Sequence, residues 1–424
     1  MAVRILVEAY ACQPDAASEP GLGWHYPLEF ARLGHDVTVI TRLSMRERIE
    51  GAVSNAPISG LRFVFVEESR WPLLFGWTVG SAIQYMSWLW KASQAARRLN
   101  RKTPLDLLHH ASYGSLLGGS FLWRVGPPLA FGPVGGGQTA PKAFLRYFGP
   151  WRRSEVLRTL VVRRLWPLMW HARRAARDAT VVMTTTPETQ KLAWRMGAQN
   201  VVTVQDVGIA SGFAPTDMPQ RKDREGMRLL WLGRFMPKKG LPLAVEALER
   251  LPSDTRVVLE VLGEGANAQN DVETRNYLGD HACHGRLEVR GRVPYEEIGD
   301  AYRRADAFIF TGLRDSGGGA VLEAMAYGLP VICLDHQGAA ELVGHEAGIR
   351  VPVTTPEETI DGLASAILRL ADSPTLRRQL GEAAYARAKN YTWDRKAMQV
   401  LAAAGMGSEL PTDRPTSGVH GGHD

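Results

Sequence analysis

The chain of 424 residues contains only three cysteines, Cys12, Cys283 and Cys333, which lie far apart in the sequence. None of them has the C-x-x-C spacing that is typical of zinc sites, and three distant thiols do not make a disulfide framework. We therefore expect buried free thiols and no bound metal. Such thiols suit a reducing compartment, so the sequence predicts a cytoplasmic protein.

The chain also has little of what marks a nucleic-acid-binding protein or a secretory leader. Its formal net charge is only +6, and no stripe of lysine and arginine is interleaved with the aromatic residues of an RNA-binding motif. The first apolar run is short and is interrupted by Glu8, unlike the core of a signal peptide. We expect no nucleic-acid partner.

One stretch without charged residues, 71–90, is long enough to cross a membrane. It contains Pro72, Gly76 and Gly80 as well as several polar residues, which make it a poor transmembrane helix. The aromatic residues at its ends also suit a helix at a membrane interface. We expect a buried or interfacial helix here and not a span.

Short apolar runs alternate with helical patterns in the first half of the chain. The predicted strands cover residues 3–9, 36–41, 61–66, 105–109, 129–131 and 180–183, and helices are predicted at 24–33 and 187–196. Strands that alternate with helices indicate a parallel, doubly wound sheet.

The same pattern starts again after a loop at 208–222. Strands are predicted at 227–232, 257–262, 287–290, 307–310 and 331–333, and helices at 241–251, 295–305, 320–327 and 360–370. A chain of this length is too long for one ordinary core. We therefore predict an α/β protein with two Rossmann-like domains, 1–205 and 206–375, that face a cleft, and a disordered tail at 405–424.

Three glycines at 317–319 follow one predicted strand and precede a helix. The unpaired N–H groups of such a loop and the positive end of the helix dipole point at one spot, which suits an anion. Asp315 and Glu323 flank the glycines. From this stretch alone, a glycine-rich turn with solvated acids stays an alternative, because many α/β folds contain such turns.

Two cations, Arg234 and Lys239, follow the first predicted strand of the second half. The carboxyl ends of parallel strands open into the ligand crevice, so both side chains could reach one anionic group. Arginine makes bidentate contacts with phosphate, and lysine adds a point charge. The alternative is a pair of solvated surface cations.

The segment SEPGLGW at 18–24, which includes Gly23, lies at the phosphate-binding position of a doubly wound domain. It lacks the third glycine of a dinucleotide fingerprint, and the acid expected after the second strand is replaced by Thr41 and Arg42. A nicotinamide enzyme is therefore disfavoured, and we expect no cofactor.

Taken together, these motifs resemble the retaining glycosyltransferases of family 4. The resemblance rests on GRFMPKKG at 233–240 and DSGGGAVLEAMAYGLPVI at 315–332, and it covers essentially residues 2–400. SEPGLGW and FGPVGGG at 131–137 are similar to a bacterial subgroup of that family. The resemblance implies the GT-B fold, with helices in 376–404 that cross back to the first domain.

The resemblance also implies a nucleotide-sugar donor that is bound without a metal. Arg234 and Lys239 would hold the diphosphate, Glu323 would bind the ribose hydroxyls, and the backbone near residue 292 would meet the base. No Asp-x-Asp triplet occurs in the chain, in agreement with metal independence. The candidate donor-binding residues are Gly23, Arg234, Lys239, Arg292, Val293, Gly318, Gly319, Val321 and Glu323.

The first acid of the family's Glu-x7-Glu pattern is replaced here by an aspartate. Asp315 stands eight residues before Glu323, and Gly317 replaces the usual phenylalanine. Aspartate is one methylene shorter, but it could still bind the hydroxyls of the donor sugar if the glycine loop shifts. The identity of the sugar stays open.

Many family members also carry a histidine after the fifth strand, beside the reacting carbon, and this chain has FGPVGGGQ there. The glycines at 135–137 could bring backbone groups close to donor or acceptor. His109 and His110 end the preceding strand, and strand alternation sends them to opposite faces. We expect either that His110 contacts the acceptor or that both histidines are structural. The candidate catalytic residues are Arg234, Lys239, Asp315 and His110.

Residues 146–177 contain nine arginines and one acid, Glu155, with tryptophans among them. A basic helical region that carries tryptophan can bind an anionic membrane surface. The alternative is a solvated helix face with tryptophans in the core. If this region binds a membrane surface, we expect a peripheral contact with the inner face of the membrane.

The predicted function is transfer of a hexose-type sugar from a nucleotide-sugar donor to a hydroxyl acceptor, with retention of the anomeric configuration. The acceptor would be a glycan, a lipid-linked saccharide or a natural product. Two alternatives stay open: a pseudo-glycosyltransferase that couples a cyclitol nucleotide, and a non-catalytic protein that binds nucleotide sugars.

Overall fold

The computed structural model describes residues 2–14, 16, 18–69, 77–221, 225–265, 268–281 and 283–407. Its strands are β1 Arg4–Ala9, β2 Asp36–Arg42, β3 Leu61–Val66, β4 Leu107–Ser112, β5 Leu129–Val134, β6 Val181–Thr184, β7 Val201–Thr203, β8 Met227–Leu232, β9 Val257–Leu262, β10 Leu287–Gly291, β11 Ala307–Phe310, β12 Val331–Leu334 and β13 Gly348–Val351.

The strands form two separate parallel sheets. The first has seven strands in the order β3-β2-β1-β4-β5-β6-β7, and the second has six in the order β10-β9-β8-β11-β12-β13. Strands β4, β5, β6, β11 and β12 are buried along their whole length, because helices cover both faces of a doubly wound sheet. This confirms the predicted pair of parallel α/β domains.

The helices pack on both faces of these sheets. They are α1 Ser18–Arg32, α2 Arg46–Asn55, α3 Trp77–Lys102, α4 Arg152–Leu160, α5 Trp170–Asp178, α6 Pro187–Arg195, α7 Leu241–Glu249, α8 Ala268–Asp280, α9 Ile298–Arg304, α10 Gly319–Ala326, α11 Gln337–Val343, α12 Pro356–Asp372, α13 Pro374–Ala388 and α14 Trp393–Ala403. The short edge strands β7 and β13 and the helices α2, α8 and α11 were not predicted from sequence.

Helix α1 begins at Ser18, six residues before the predicted start at Trp24. A proline is tolerated in the first turn of a helix, so Pro20 does not prevent this. Gly23 lies so close to the preceding loop that a Cβ atom there would be 1.9 Å from the Ala11 carbonyl oxygen. What looked like a phosphate loop in the sequence is therefore the first turns of a closely packed helix.

The uncharged stretch at 71–90 falls partly on residues 71–76, which lie outside the described residues. From Trp77 onward it is part of α3, and Trp88 and Leu89 are fully buried. No helix in the ranges that the structure describes is both long and apolar enough to cross a bilayer. The described part of the stretch is thus a packed helix, as predicted. Most of the predicted tail, 408–424, also lies outside the described residues.

Helix α14 returns to the first domain. Trp393, Ala397 and Val400 belong to the buried cluster that contains residues of β1 and α1. Helix α13 instead packs against α10, and its Ala384 and Ala388 lie in the core of the second domain. The crossing therefore begins after residue 388, later than the predicted boundary at 376.

A second connection between the domains was not predicted. The segment 140–148 follows β5 in sequence, but its Phe144 and Phe148 are buried in the cluster that holds Leu229 and Leu241 of the second domain. Tyr147 also donates a hydrogen bond to Glu246, with 2.9 Å between the oxygens. The two domains are thus joined by this segment as well as by α14.

Candidate active site in the cleft

A cavity of about 330 Å³ lies where the carboxyl ends of the two sheets face each other. The start of α1 lines it from the first domain. The segments that follow β8 and β11 line it from the second domain, and the linker at 206–210 lies between them. This is the position at which doubly wound folds bind ligands.

The glycine loop and the N-terminus of α10 form one wall of the cavity. Gly317, Gly318 and Gly319 all line it. Gly318 has a φ of 108°, a left-handed conformation that glycine adopts without strain. The helix begins directly after it, so its free N–H groups and the positive end of its dipole lie at the cavity. The predicted strand, glycine loop and helix start are thus arranged around the cavity, and anion binding there stays a prediction.

Arg234 and Lys239 line the same cavity. Arg234 is exposed between β8 and the buried Phe235, whose N–H donates to the Glu264 carbonyl oxygen at 2.7 Å. Lys239 forms an ion pair with Asp315. The structure therefore brings together the two cations, the aspartate and the glycine loop, which are separated by about eighty residues of sequence.

Asp315 is fixed from two sides. Its backbone N–H donates to Gln337 Oε1 at 2.8 Å, and Gln337 Nε2 donates to the Thr139 carbonyl oxygen of the other domain at 3.1 Å. Burial acts to raise the pKa of the Asp315 carboxyl group, but the Lys239 ammonium, together with Lys238 and the Gly317 N–H, holds the pKa below its usual value. Asp315 is thus an anion that neutralises Lys239.

Glu323 lies one turn into α10 and accepts hydrogen bonds from two tyrosines. The Tyr302 hydroxyl donates at 2.8 Å and the Tyr295 hydroxyl at 3.3 Å. Burial raises the pKa of Glu323 to about 7, although both tyrosine hydrogen bonds act to lower it. The protonation of this carboxyl group therefore changes near neutral pH.

Two further acids, Glu19 and Asp206, line the cavity and were not assigned from sequence. Both Glu19 oxygens accept the Gly114 N–H, at 3.1 and 3.0 Å. Asp206 accepts a hydrogen bond from the Ser316 hydroxyl at 3.1 Å. Burial, followed by the nearby Glu19, raises the pKa of Asp206 to about 7. Glu19 stands within the quoted SEPGLGW motif, whereas no motif surrounds Asp206.

Asp206 also explains the glycine that replaces the family's phenylalanine. A Cβ atom at Gly317 would lie 2.2 Å from Asp206 Oδ1. Side chains do not approach so closely, so a residue larger than glycine would displace the carboxylate. The space that the resemblance assigns to a phenylalanine is therefore taken by the linker between the domains.

Two of the candidate donor-binding residues, Gly23 and Val321, do not line the cavity. Gly23 lies behind the lining residues Gly21 and Leu22 of α1. The Val321 side chain is fully buried in the core of the second domain. Both contribute to packing, and neither contacts the cavity space.

The segment predicted to meet the base reaches the cavity through other residues. Arg292 is largely exposed and pairs with Glu264 at 3.5 Å, and Val293 packs against the core. Tyr295 and Ile298 are the members of this segment that line the cavity. Arg292 and Val293 lie between the end of β10 at Gly291 and the 3₁₀ turn that starts at Tyr295, and their contact with a base stays a prediction.

The structure does not bring His110 to the cavity surface. Its side chain is fully buried, and Nδ1 is hydrogen-bonded to Glu8 Oε2 at 2.6 Å. His109 lies on the opposite face of the sheet, where Nε2 is hydrogen-bonded to the Gly132 carbonyl oxygen at 2.7 Å. The opposite faces agree with strand alternation. The positions of both rings support the structural alternative.

Of the glycines at 135–137, Gly135 lies where the two domains touch. A Cβ atom at Gly135 would be 2.7 Å from Ser316 Cβ, so only glycine permits this close approach. Nearby, the Glu155 carboxylate pairs with Arg314 at 2.9 Å. These contacts position the donor-side loop directly against the first domain.

In the part of the chain that the structure describes, no three His, Cys, Asp or Glu side chains are grouped so as to hold a metal ion. The positive charges at the cavity come from Arg234, Lys239 and the helix terminus. The three cysteines are free and buried.

Comparison with known proteins agrees with this geometry. Residues 217–387 match the family described as "Glycosyl transferases group 1". The chain is 30% identical over 215 residues to the phosphatidyl-myo-inositol mannosyltransferase of Mycolicibacterium smegmatis, which is 49% of this chain and 53% of the relative. It is also 30% identical over 238 residues to the D-inositol 3-phosphate glycosyltransferase of Kribbella flavida. This match covers 52% of this chain and 54% of the relative.

The chain spans about half the length of these curated relatives. A solved structure matches over more of the chain: the HepE protein of Anabaena in complex with UDP and glucose, with a TM-score of 0.61 at 15% identity over 95% of this chain and 99% of that one. This similarity concerns the fold. Residues 217–387 are therefore similar to domains of the glycosyl transferases group 1 family, in a chain whose two parallel-sheet domains have the GT-B fold.

Proposed function

We propose that this protein is a retaining glycosyltransferase that moves a hexose-type sugar from a nucleotide-sugar donor to a hydroxyl acceptor. One observation carries the proposal: Arg234, Lys239, Glu323 and the N-terminus of α10 line a single cavity between the domains. A diphosphate needs cations and N–H donors, and a ribose diol suits a carboxylate that only accepts hydrogen bonds.

The donor diphosphate would lie between the two cations and the start of α10. Lys239 would then exchange its ion pair with Asp315 for a contact with phosphate, or share its ammonium group between the two. Such positive groups, fixed where the leaving diphosphate gains charge, stabilise the transition state by a few kcal/mol each. In this scheme they take the place of a metal ion.

Glu323 would bind the ribose hydroxyls of the donor, next to Tyr295 and Ile298 on the same wall. Its two oxygens are already held by tyrosine hydroxyls. Those contacts fix the orientation of the carboxylate before a ligand arrives, which reduces the entropy that binding has to overcome.

The acceptor would enter along the wall formed by the first domain. Glu19 and Asp206 provide carboxylate oxygens there, and hydroxyl groups are the hydrogen-bond donors that such oxygens accept. For the retaining course, we propose front-face substitution, in which the leaving phosphate helps take the acceptor proton and no protein side chain acts as a nucleophile. The buried thiols favour a cytoplasmic setting.

The relatives support a sugar-nucleotide chemistry. Two of them are named as a mannosyltransferase and an inositol phosphate glycosyltransferase. One structural neighbour was solved with UDP-glucose. We extend to this chain only the shared features, a nucleotide-sugar donor and a hydroxyl acceptor.

A thermal-shift panel followed by product analysis tests the proposal. UDP, GDP and dTDP and their hexose conjugates are added to the protein, and a ligand present at 100 times its Kd adds about 2.7 kcal/mol of stability. We expect one nucleotide series to raise the Tm. The best donor is then incubated with hydroxyl acceptors, and NMR reads the anomeric configuration of the product.

Retention in the product supports the proposal. A product of inverted configuration would overturn the retaining course. A nucleotide that binds without any product forming would favour the non-catalytic binding protein. The absence of any nucleotide binding would overturn the donor site itself.

A further inference from the structure

The outer surface of residues 151–170 carries an unusual number of exposed large apolar side chains. They include Trp151, Leu157, Leu160, Leu168 and Trp170, with exposed fractions of 43%, 59%, 45%, 69% and 61%. Single exposed apolar residues are ordinary, but several within twenty residues mark a surface that meets another apolar phase.

Helix α4 presents one continuous face to this surface. A shallow groove is lined by five of its residues at helical spacing, Arg152, Arg153, Val156, Leu157 and Leu160. Residues three and four apart lie on the same side of a helix, so the aliphatic side chains form one strip with arginines at its N-terminal end.

The opposite face of α4 is fixed to the protein. Glu155 is buried and pairs with Arg314 of the second domain. Arg158 donates to the carbonyl oxygens of Gln138 and Gly136 at 2.7 and 3.2 Å. Because the inner face is held in this way, the apolar strip cannot turn inward, and it stays on the surface.

The surface around the strip is strongly positive. Eight arginines between 146 and 177 are exposed: Arg146, Arg152, Arg153, Arg163, Arg164, Arg173, Arg174 and Arg177. Arg146, Arg174 and Arg177 pair with acids. Among the described residues, Arg152, Arg153 and Arg164 make no ion pair, so their charges are not neutralised by the protein.

We propose that the surface 151–170 docks on an anionic lipid bilayer. Exposed leucine and arginine on one face of α4, with exposed Trp151 and Trp170 at the two ends of the segment, are the composition of helices that lie in the membrane interface. A second copy of the chain fits less well, since a two-fold contact would place the same arginines against each other. This inference does not depend on the proposed enzymatic activity.

Vesicle flotation tests the proposal with the full-length protein. Vesicles of equal parts phosphatidylglycerol and phosphatidylcholine are compared with vesicles of phosphatidylcholine alone. We expect flotation with the anionic vesicles and little with the neutral ones, and loss of flotation in high salt because salt screens the arginines.

Two double variants separate the apolar and the charged parts. Each arginine near an anionic surface contributes about fivefold to partitioning, about 1 kcal/mol. Arg152→Gln with Arg153→Gln should therefore lower the partition coefficient about 25-fold. Leu157→Asp with Leu160→Asp should lower it more than tenfold, since a buried leucine contributes about 1.5 kcal/mol or more.

Val272→Asp is the matched control, because Val272 of α8 is an exposed valine, 56% accessible, in the second domain. It should float like the unchanged protein. Equal flotation of the Leu157→Asp/Leu160→Asp variant, or equal binding to neutral vesicles, would overturn the proposal. A dimer in analytical ultracentrifugation that the same leucine substitutions dissociate would also overturn it, in favour of a second copy.

Discussion

The protonation of Glu323 gives the most specific prediction about donor binding. Burial raises the pKa of this carboxyl group to about 7. In the proposed site the ionised carboxylate accepts hydrogen bonds from the ribose hydroxyls, and the protonated form has lost part of this capacity. Donor affinity should therefore fall as the pH is lowered through 7, because binding then has to remove a proton from Glu323.

The size of the effect follows from the pKa. If only the ionised form binds, the affinity falls about tenfold between pH 8 and pH 6, and a tenfold change in affinity corresponds to about 1.4 kcal/mol of binding free energy. The Glu323→Gln variant cannot ionise. It should bind more weakly at pH 8, by about 1–2 kcal/mol for the loss of charge-assisted hydrogen bonds, and its affinity should change little with pH.

Isothermal titration calorimetry with the best nucleotide sugar of the panel measures both proteins across this pH range. A nucleotide sugar is preferable to a nucleoside diphosphate, since its phosphates carry no group that titrates near pH 6. The difference between the two proteins isolates Glu323 from every other titrating group. An affinity that rises on acidification, or an equal pH dependence in Glu323→Gln, would refute the assignment of this residue to the ribose.

Two further predictions concern the contact between the domains. Glu155→Gln leaves the poorly exposed Arg314 without its partner and should lower the free energy of unfolding in urea by about 3 kcal/mol. The control Glu50→Gln breaks an exposed pair and should lower it by less than about 0.5 kcal/mol. Equal losses in the two variants would contradict a stabilising buried ion pair between Glu155 and Arg314. Gly317→Ala brings a methyl group within 2.2 Å of a carboxylate oxygen and should lower stability by about 1–3 kcal/mol. Gly319→Ala, whose added Cβ would find its nearest neighbour at 4.0 Å, should leave the Tm nearly unchanged. An equally unchanged Tm in Gly317→Ala would show that the carboxylate moves aside freely.

The sheets could be predicted from the sequence because buried parallel strands are short runs of apolar, often β-branched residues. Strand β8 and strand β9 were placed at their observed bounds for this reason. The start of α1 was missed, because Pro20 and the glycines after it are typical of a turn. Only the contact of Gly23 with the Ala11 carbonyl oxygen shows that the glycine serves close packing.

The sequence also indicated that Arg234, Lys239 and Glu323 lie close together, since each of them follows a strand end or lies at the start of a helix, and all three line the cavity. The part of the cavity that contains Asp206 could not be predicted from the sequence. Asp206 reaches the cavity because the linker after β7 passes behind Gly317, a contact between segments more than a hundred residues apart in sequence. No local pattern encodes such a contact.

The environment of His110 could likewise be predicted only in part from the sequence. Strand alternation predicted that the two histidines face opposite sides, and they do. Both histidines are fully buried, and His110 is covered by the segment that follows β4, whose Ser120 joins it on the buried Glu8 carboxylate. The sequence shows which face a strand residue takes, whereas burial is decided by whatever packs on that face.

The central claim is that the cleft binds the diphosphate of a nucleotide-sugar donor, and binding of a nucleoside diphosphate to lysine variants tests it most directly. Lys239 lines the cavity, whereas its neighbour Lys238 does not. Isothermal titration calorimetry of the unchanged protein, Lys239→Ala and Lys238→Ala should show a loss of about tenfold to a hundredfold for Lys239→Ala alone, since a charge-assisted hydrogen bond contributes about 1.5–3 kcal/mol. Equal affinity in all three proteins would contradict the account.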